Sequence, residues 1–292
     1  MARQPLDMEF KASPRIRFAP TPSGFLHLGN IVNLLLIYTF AKKHNLQLIL
    51  RIDDLDATRF REEYVMDILD TIDFLKIDFD LGPRSISEFY QQWSQRHRIE
   101  HYKKFAQQLI ADGQAYYCEC SRKLIESRDH SKIYQGFCRN RKLGPGPQNS
   151  LRLKSLPQNE HEMGDFILWR KDDIPSYQLV TLIDDVDFKV SHIIRGEDLR
   201  PSTLAQKLLA TKLGLNEFSE VNFLYHDLMP DLLGLKLSKG NASLSIKEMR
   251  SQGLEASDIY QRVGDYLLGS GQVILSKEDL MCHPQILSHL HI

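Results

Sequence analysis

Two segments that lie far apart in the sequence carry side chains suited to phosphate groups. The first, PTPSGFLHLGN at residues 20–30, joins an apolar strand pattern to a helical one and contains His27. A turn of small residues before a helix presents backbone N–H groups and the positive helix end to an anion. The second, KLSKG at 236–240, has lysines on both sides of Ser238. Together the two segments predict a phosphate site. A solvated His at a helix start and exposed loop lysines would give the same sequence pattern.

Three of the four cysteines, Cys118, Cys120 and Cys138, fall within 21 residues, and Cys282 stands alone. This grouping favours a local metal cluster in a reducing compartment over a disulfide framework. Three buried, reduced cysteines would give the same spacing. His130 is a chemically reasonable additional ligand.

The elements that would position these residues alternate between strands and helices. IRFAP predicts a buried strand, residues 28–43 a helix, LQLILRI a second strand, and residues 58–75 a second helix. Such alternation is typical of an α/β fold with a parallel sheet covered by helices on both faces.

Further along the chain the patterns continue with less regularity. A helix is predicted from residue 94 to Asp112-Gly113, and DFILW, QLVTLIDDV and VSHIIRG are interpreted as strands. The remaining predicted elements are a helix over 202–213 capped by Gly214, a capping box at Ser245, and a helix over 258–268.

Composition and charge exclude several classes of protein. The 292 residues are 42% hydrophobic and 26% charged, which is enough apolar surface to exclude wholesale disorder. No apolar stretch approaches the ~20 residues of a membrane span, and the N-terminal residues lack the apolar core of a secretory signal, so the cytoplasm is expected. The net charge is -1, so any polyanion site must be local. Residues 121–154 contain nine basic and two acidic residues, which indicates either an RNA-binding surface or a solvated face.

Five ordered motifs resemble those of the glutamyl branch of class I aminoacyl-tRNA synthetases. HLGN and KLSKG resemble the HIGH and KMSKS signatures of the class. The five motifs are RFAPTPSGFLHLGN at 17–30, RIDDLD at 51–56, YQLVTLIDDV at 177–186, IIRGEDL at 193–199 and KLSKG at 236–240.

This resemblance implies a class I α/β nucleotide-binding fold with a zinc-bearing insert. The two halves of the catalytic domain would be residues 1–110 and 161–240, with the basic insert at 111–160 and a short helical piece at 241–292. Because only 52 residues follow Gly240, no anticodon-binding domain is expected. This expected organisation is similar to that of the glutamyl-queuosine tRNA(Asp) synthetases, which activate glutamate without tRNA and attach it to the queuosine base of tRNA(Asp). The implied partners are glutamate, ATP with Mg²⁺, and tRNA(Asp) carrying queuosine, with no membrane, for a protein expected to be a monomer.

The resemblance also assigns roles within the motifs. Arg17 and Arg195 would hold the glutamate carboxylates, Tyr177 would donate a hydroxyl hydrogen bond, and Asp53 would contact the α-ammonium. Asp53 stands where the family usually has Glu and is one methylene shorter. From residue type alone, the two arginines would be structural ion-pair partners. His27 and Lys239 would be the catalytic groups. Ala19 and Thr21 would contact the amino acid, and His27, Gly29, Asn30, Lys236, Ser238 and Lys239 would contact ATP.

The acidic residues near these motifs are interpreted more simply. Asp54 and Asp56 are taken as loop or cap residues, and Asp184 and Asp185 as a turn outside the site.

For the metal, the resemblance implies a structural zinc held by Cys118, Cys120, Tyr134 and Cys138. Two other enzyme hypotheses remain open: a compact glutamyl-tRNA synthetase, and an amino-acid-activating ligase with another acceptor. A non-catalytic tRNA-binding module is the hypothesis from another class.

Overall fold

The computed structural model describes residues 13–128, 133–155, 164–229 and 244–292. These form two compact units, each built from segments that are separated in sequence. The first unit comprises residues up to His97, Lys189–Asp198 and Val221–Ile292, and the second comprises Arg98–Phe188 and Leu199–Glu220.

The strands and helices alternate for most of the chain. The strands are β1 Arg15–Phe18, β2 Gln47–Leu50, β3 Ala115–Cys118, β4 Ser150–Leu153, β5 Ile167–Trp169, β6 His192–Gly196 and β7 Asn222–His226. The helices are α1 Leu28–Lys43, α2 Glu62–Phe74, α3 Ile86–Glu88, α4 Ile99–Ala111, α5 Arg122–Arg128, α6 Tyr177–Asp187, α7 Arg200–Leu213, α8 Ile246–Ser251, α9 Ala256–Leu268 and α10 Lys277–Cys282. Helix α3 continues as one π turn, Phe89–Trp93.

A parallel four-stranded sheet in the order β2-β1-β6-β7 forms the centre of the first unit. Successive residues of a strand point to opposite faces. Ile16 and Phe18 of β1 belong to the main hydrophobic cluster together with helix α1, so Arg17 points to the other face. This alternation decides which face can bear charged residues.

Helix α1 is almost entirely buried, which explains why its sequence is apolar on every side. It starts after His27, whose backbone N–H donates to Oδ1 of Asn30 at 3.1 Å. This bond satisfies a backbone donor at the helix N-terminus, where intrahelical partners are lacking. The bounds agree with those predicted from the sequence.

The second unit contains an antiparallel sheet in the order β3-β4-β5 and the helices α4, α6 and α7. A buried network joins two of these helices. Nε of Arg98 lies 3.0 Å from Oδ1 of Asp184, and the Tyr102 hydroxyl donates to the same carboxylate at 2.8 Å. The charge of Asp184 is therefore compensated inside the unit.

Two strand predictions need correction. QLVTLIDDV is not a strand but most of helix α6, because Ser176 caps its start and residues 179–185 are buried on all sides. A short apolar run of this kind cannot be distinguished from a buried strand by its pattern alone. DFILW does contain strand β5, but β5 pairs antiparallel with β4 and lies outside the parallel sheet. The other predicted strands and helices are confirmed with shifts of a few residues at their ends.

Candidate active site

The carboxyl ends of the parallel strands bring two buried arginines to one face of the sheet. Arg17 lies in β1 and Arg195 in β6, and Ile16 is the partner of His192 in the ladder between them. With this register and a period of two, both side chains point away from α1. Arg17 is 5% exposed and Arg195 is 3% exposed. The Arg195 guanidinium also lies 5.3 Å from the centre of the Phe223 ring.

The loop before α1 is held by hydrogen bonds from two other helical regions. The backbone N–H of Leu26 donates to Oδ2 of Asp67 in α2 at 3.1 Å. The carbonyl of Leu26 accepts from the N–H of Ile246 at 2.7 Å, and His27 forms an antiparallel bridge with Ser245. The loop therefore cannot shift without breaking bonds on both sides.

Burial has a cost at Asp67, whose side chain is held under the loop. Asp67 is 4% exposed, and burial raises the pKa of its carboxyl above the ordinary value. Lys247 and Arg250 of α8 oppose this rise in pKa through their charges. A buried acid that accepts a backbone hydrogen bond indicates a position where the loop must be held in place.

Asp53, three residues after the end of β2, is part of a buried ion pair. Nε and Nη2 of Arg51 lie 2.7 and 3.1 Å from the two oxygens of Asp53, and the Gln95 amide donates to Oδ1 at 3.1 Å. Arg51 and Gln95 were not identified from the sequence. Arg51 could have been, because the i, i+2 spacing places both side chains on one face of an extended segment. Gln95, which is 42 residues away, gave no local signal.

Asp54 lies in the loop after β2, as expected, and its side chain is buried. Its side chain is 1% exposed, accepts from the Ser94 hydroxyl at 2.6 Å, and accepts from the Gln95 N–H at 2.8 Å. Asp56 also lies in this loop, where it accepts from the Thr58 hydroxyl at 2.6 Å, while the N-cap of α2 is Arg61.

The ends of β6 and β7 approach each other closely at Gly196. A Cβ on Gly196 would lie 2.7 Å from Cδ2 of Leu228 and 2.8 Å from Oδ1 of Asp198. Nearby, Nε2 of His226 lies 3.2 Å from Oδ1 of Asn33, and Nδ1 lies 2.8 Å from the Asp227 carbonyl. Burial lowers the pKa of His226. His226 was also missed from the sequence.

The other predicted site residues are distributed as follows. Ala19 is partly buried and Thr21 exposed after β1, and Gly29 lies in the first turn of α1. Tyr177 begins α6 in the second unit and is 40% exposed. The three remaining nucleotide-contacting residues, Lys236, Ser238 and Lys239, lie outside the described residues.

The acidic pair in α6 was interpreted wrongly as a turn. Asp184 and Asp185 are helical and fully buried. Asp184 accepts hydrogen bonds inside the second unit because its helix packs against α4.

A cluster of thiols and one phenol forms a second candidate site in the second unit. Sγ of Cys120 lies 3.6 Å from Sγ of Cys138, and the three cysteine sulfurs lie within 4.8 Å of one another. Oη of Tyr134 lies 3.1 Å from Sγ of Cys118 and 3.6 Å from Sγ of Cys120. Sulfurs about 2.3 Å from a tetrahedral zinc are ~3.8 Å apart, so these residues fit that ion. His130 lies outside the described residues.

The environment of this cluster is buried and partly basic. Burial, together with the neighbouring thiols, raises the pKa of Cys120 to about 11 and also raises the pKa of Tyr134. For Cys138, burial is outweighed by hydrogen bonds led by that of Tyr134, which lower its pKa. The Arg152 guanidinium lies 4.0 Å from the centre of the Tyr134 ring. A guanidinium over an aromatic ring is attracted to the negative face of the ring.

The family model described as tRNA synthetases class I (E and Q), catalytic domain, matches residues 14–145 and 152–273. The chain belongs to the class I aminoacyl-tRNA synthetase family. Its fold is therefore the α/β fold of that family of ligases, and its parallel sheet is part of a synthetase catalytic domain.

The synthetase family also supplies the curated relatives. The chain is 34% identical over 270 residues to glutamate--tRNA ligase 2 of Thermoanaerobacter pseudethanolicus, covering 82% of this chain and 53% of that protein. It is 31% identical over 304 residues to the glutamate--tRNA ligase of a Sulfurihydrogenibium species, covering 91% of this chain and 61% of that protein. The chain thus spans between half and two thirds of the length of these relatives.

Solved structures agree with this class I synthetase fold. A glutamate tRNA ligase of Elizabethkingia meningosepticum, crystallised with its amino acid, superposes with a TM-score of 0.75 at 22% identity, covering 96% of this chain and 66% of that one. None of the helices in the described part of this synthetase-family chain has the length and apolarity needed to cross a bilayer.

Proposed function

We propose that this chain activates glutamate with ATP in the absence of tRNA and then transfers the glutamyl group to the queuosine base of tRNA(Asp). The observation that carries the proposal is the placement of buried Arg17 and Arg195 on one face at the carboxyl ends of β1 and β6. In open parallel sheets, ligands bind at this edge.

The arginine pair suits a ligand with two carboxylates. A guanidinium offers parallel N–H donors that match a carboxylate, and burial strengthens the interaction. Aspartate also has two carboxylates, so the dimensions of the site must distinguish the longer side chain of glutamate from the shorter one of aspartate. Asp53 would receive the α-ammonium of glutamate. Hydrogen bonds from Arg51 and Gln95 hold the Asp53 carboxylate in place. The relatives at 31–34% identity are named as glutamate--tRNA ligases, which supports glutamate.

The phosphate-handling elements would be His27 and Lys239. The bridge between His27 and Ser245 ties the first signature to the segment that follows the second. Lys239 precedes Ser245 by six residues, a length of chain that reaches at most about 20 Å. This short connection supports the proposal that both signatures act on one nucleotide. Lys236, Ser238, Gly29 and Asn30 would line the nucleotide site with them.

In the activation step, an oxygen of the glutamate α-carboxylate attacks the α-phosphorus of ATP. The new O–P bond forms as the bond to the pyrophosphate oxygen breaks, which gives glutamyl-adenylate and pyrophosphate. His27 would donate a hydrogen bond to the α-phosphate oxygens, and Lys239 would neutralise the leaving pyrophosphate. Bound Mg²⁺ supplies further charge neutralisation for the phosphates. Positioning and fixed charge supply most of the rate enhancement.

In the transfer step, a hydroxyl oxygen of the modified base attacks the carbonyl carbon of the adenylate. An ester bond forms, AMP leaves, and the hydroxyl proton is released. Ala19 and Thr21 would complete the amino-acid site in the first unit.

We also propose a structural zinc ion held by Cys118, Cys120, Tyr134 and Cys138. The sulfur spacing and the burial of all four side chains support this assignment. Bound zinc would cross-link β3 to the segment that contains Cys138, and no chemical step depends on it.

A second candidate function is ordinary glutamyl transfer to tRNA(Glu). The curated relatives, which carry the name glutamate--tRNA ligase, favour it. The two functions differ in the acceptor and in whether activation requires tRNA.

The deciding experiment is amino-acid-dependent ATP–pyrophosphate exchange without tRNA. Glutamate should support exchange and aspartate should not. Transfer of radiolabelled glutamate should then require tRNA(Asp) that contains queuosine, with queuosine-free tRNA(Asp) and tRNA(Glu) as matched controls. Exchange with aspartate alone would overturn the amino-acid assignment, and charging of tRNA(Glu) would establish the second candidate.

The variant Asp53→Glu tests the amino-acid pocket separately. If Asp53 receives the α-ammonium through geometry set by its length, the added methylene should raise the KM for glutamate and leave the KM for ATP unchanged. Equal KM values for glutamate in both proteins would remove Asp53 from the site.

A further inference from the structure

An open cavity of about 340 Å³ lies at the surface of the second unit. Helix α4, the loop at residues 145–149 and the turn after β5 form its walls. Its volume is within the ~300–1,000 Å³ range of small-ligand sites. None of its lining residues is among those assigned above to amino-acid activation or to the metal.

Three residues in a row across the antiparallel sheet form the floor of the cavity. Tyr117 of β3 is the ladder partner of Leu151 in β4, and Leu151 is the partner of Trp169 in β5. Directly opposed residues point to the same face. Leu151 is buried, whereas Tyr117 and Trp169 are partly exposed, so two aromatic side chains flank an aliphatic one. The Trp169 indole donates to Oδ1 of Asp173 at 2.8 Å, which fixes its orientation.

The other face of the same sheet packs on the thiol cluster. Tyr116 and Cys118 alternate with Tyr117 along β3, and both belong to the buried cluster around Tyr134. Arg152, next to Leu151 in β4, lies over the Tyr134 ring. The sheet that carries the aromatic row is therefore supported on its opposite face by the buried cluster around Tyr134.

Basic side chains lie beside the aromatic floor. Lys103 of α4, Arg170 and Lys171 line the cavity, as does the acidic Asp173. Arg170 is paired with Asp172 at 2.5 Å, and Lys103 lies 3.7 Å from Glu100 at an exposed position, so Lys103 and Lys171 are the cations available to a phosphate. Nζ of Lys171 is held by the Glu119 carbonyl at 2.7 Å. The excess of basic over acidic residues between 121 and 154 adds positive charge to the same unit. The ligand expected from this charge is an anion with an aromatic part.

We propose that this cavity binds an unpaired nucleotide of an RNA, with the base against Tyr117 and Trp169 and a flanking phosphate at Lys103 and Lys171. Proteins recognise single-stranded RNA by stacking splayed bases on aromatic side chains beside cations that contact the backbone. The side-chain amides of Gln107 and Asn149, which also line the cavity, can bond to base edges. The inference rests on the proposed function only in that the acceptor is an RNA.

Intrinsic fluorescence tests stacking directly, because the chain has only two tryptophans. In a Trp93→Phe protein, Trp169 is the remaining fluorophore, and pentaadenylate at low salt should quench it. Since stacking on one aromatic residue is worth about 1–3 kcal/mol, Tyr117→Ala in this background should weaken binding roughly 5- to 150-fold. Tyr117→Phe keeps the ring and should bind like the parent protein, which separates stacking from a folding defect.

Two neighbouring lysines test the phosphate contact. Lys103 and Lys104 are both exposed on α4, but only Lys103 lines the cavity. Lys103→Ala should weaken binding and lower the slope of log K against log salt by ~0.7, the value for one phosphate of a single strand. Lys104→Ala should leave both quantities unchanged.

Four results would overturn the proposal: no quenching by pentaadenylate, equal binding by Tyr117→Ala and its parent, identical effects of the two lysine variants, or quenching that is independent of salt. The last result would show that the cavity accepts an aromatic group without contacting a phosphate. The binding assay needs neither glutamate nor ATP, so its outcome is independent of the exchange assay that tests the proposed function.

Discussion

The backbone N–H of Leu26 donates a 3.1 Å hydrogen bond to the buried carboxylate of Asp67, one residue before His27. Helix α2 therefore fixes the loop in which His27 lies, although Asp67 belongs to none of the synthetase motifs. Asp67 is a positioning residue in this arrangement.

Replacement of Asp67 separates its charge from its hydrogen bond. Asp67→Ala leaves the Leu26 N–H without its acceptor and should cost about 1–3 kcal/mol in the free energy of unfolding, with a lower exchange kcat. Asp67→Asn keeps an acceptor oxygen and removes the buried charge. We expect it to be at least as stable as the wild type at neutral pH, which urea denaturation can measure. Equal loss of stability in both variants would show that the hydrogen bond is unimportant.

The raised pKa of Asp67 also sets a pH dependence. Because the folded-state pKa lies above the ordinary value of 3.8, this group favours the folded protein most below that value. Its contribution is lost as the pH rises through the folded-state pKa. The unfolding free energy of the wild type should therefore fall relative to that of Asp67→Asn as the pH is raised from about 3.8.

His27 is predicted to act on the α-phosphate. Removal of one preorganised donor to a developing charge typically lowers kcat about 10²–10³-fold. His27→Ala should show that loss in ATP–pyrophosphate exchange, with a smaller change in the KM for glutamate. The variant His289→Ala, in the last 3₁₀ turn, is the matched control. Full activity of His27→Ala would remove it from the mechanism.

Arg195 is predicted to bind a carboxylate through a bidentate interaction of its guanidinium. Arg195→Lys keeps the charge and loses the fork, which costs up to about 3 kcal/mol for a charged hydrogen bond. The KM for glutamate should rise roughly 10- to 150-fold while the KM for ATP stays constant. If both KM values rise together, the arginine supports the fold rather than the amino acid.

Zinc content distinguishes the clustered cysteines from the isolated one. Cys120→Ser and Cys138→Ser should each lower the zinc measured by atomic absorption, because the hydroxyl is a poor substitute for a thiolate ligand. Cys282→Ser, at an exposed position in the first unit, should retain the metal. Unchanged zinc in Cys120→Ser would refute the proposed ligand set.

His226 should make the fold sensitive to mild acid. Its folded-state pKa is depressed below the ordinary 6.5 by burial, so its neutral form stabilises the protein fully above that pH. The stabilisation is lost as the pH falls through the folded-state pKa. His226→Gln should flatten the fall in thermal stability below pH 6.5. His192, whose pKa is also lowered by burial, should give a fall of the same sign and serves as the comparison.

Sequence patterns predicted the fold best where local signals were strong. Helix α1 begins and ends where the pattern places it, and Ser245 and Gly214 form the expected caps. QLVTLIDDV failed because its apolar run is short, and a run of that length cannot be assigned to a strand or to a buried helix segment from its pattern alone.

Within the candidate site, the sequence pointed only to residues that lie in the motifs. Arg17 and Arg195 lie at strand ends as the motifs imply. No pattern near Asp53 in the sequence indicates that Gln95 is its hydrogen-bond donor. The same holds for Asp67, whose partner is 41 residues away. Contacts made by distant segments depend on the register of strands and the docking of helices, which single-residue patterns do not encode.

The strand order β2-β1-β6-β7 has a consequence for biosynthesis. The N–H of Arg15 in β1 donates to Ser191, which is 176 residues later in the chain. At about 5–20 residues per second, a ribosome needs roughly 10–35 s to supply that partner after β1 has emerged. During this interval β1 and β2 present an unfinished edge, and nascent chains are then most exposed to mispairing and to capture by chaperones.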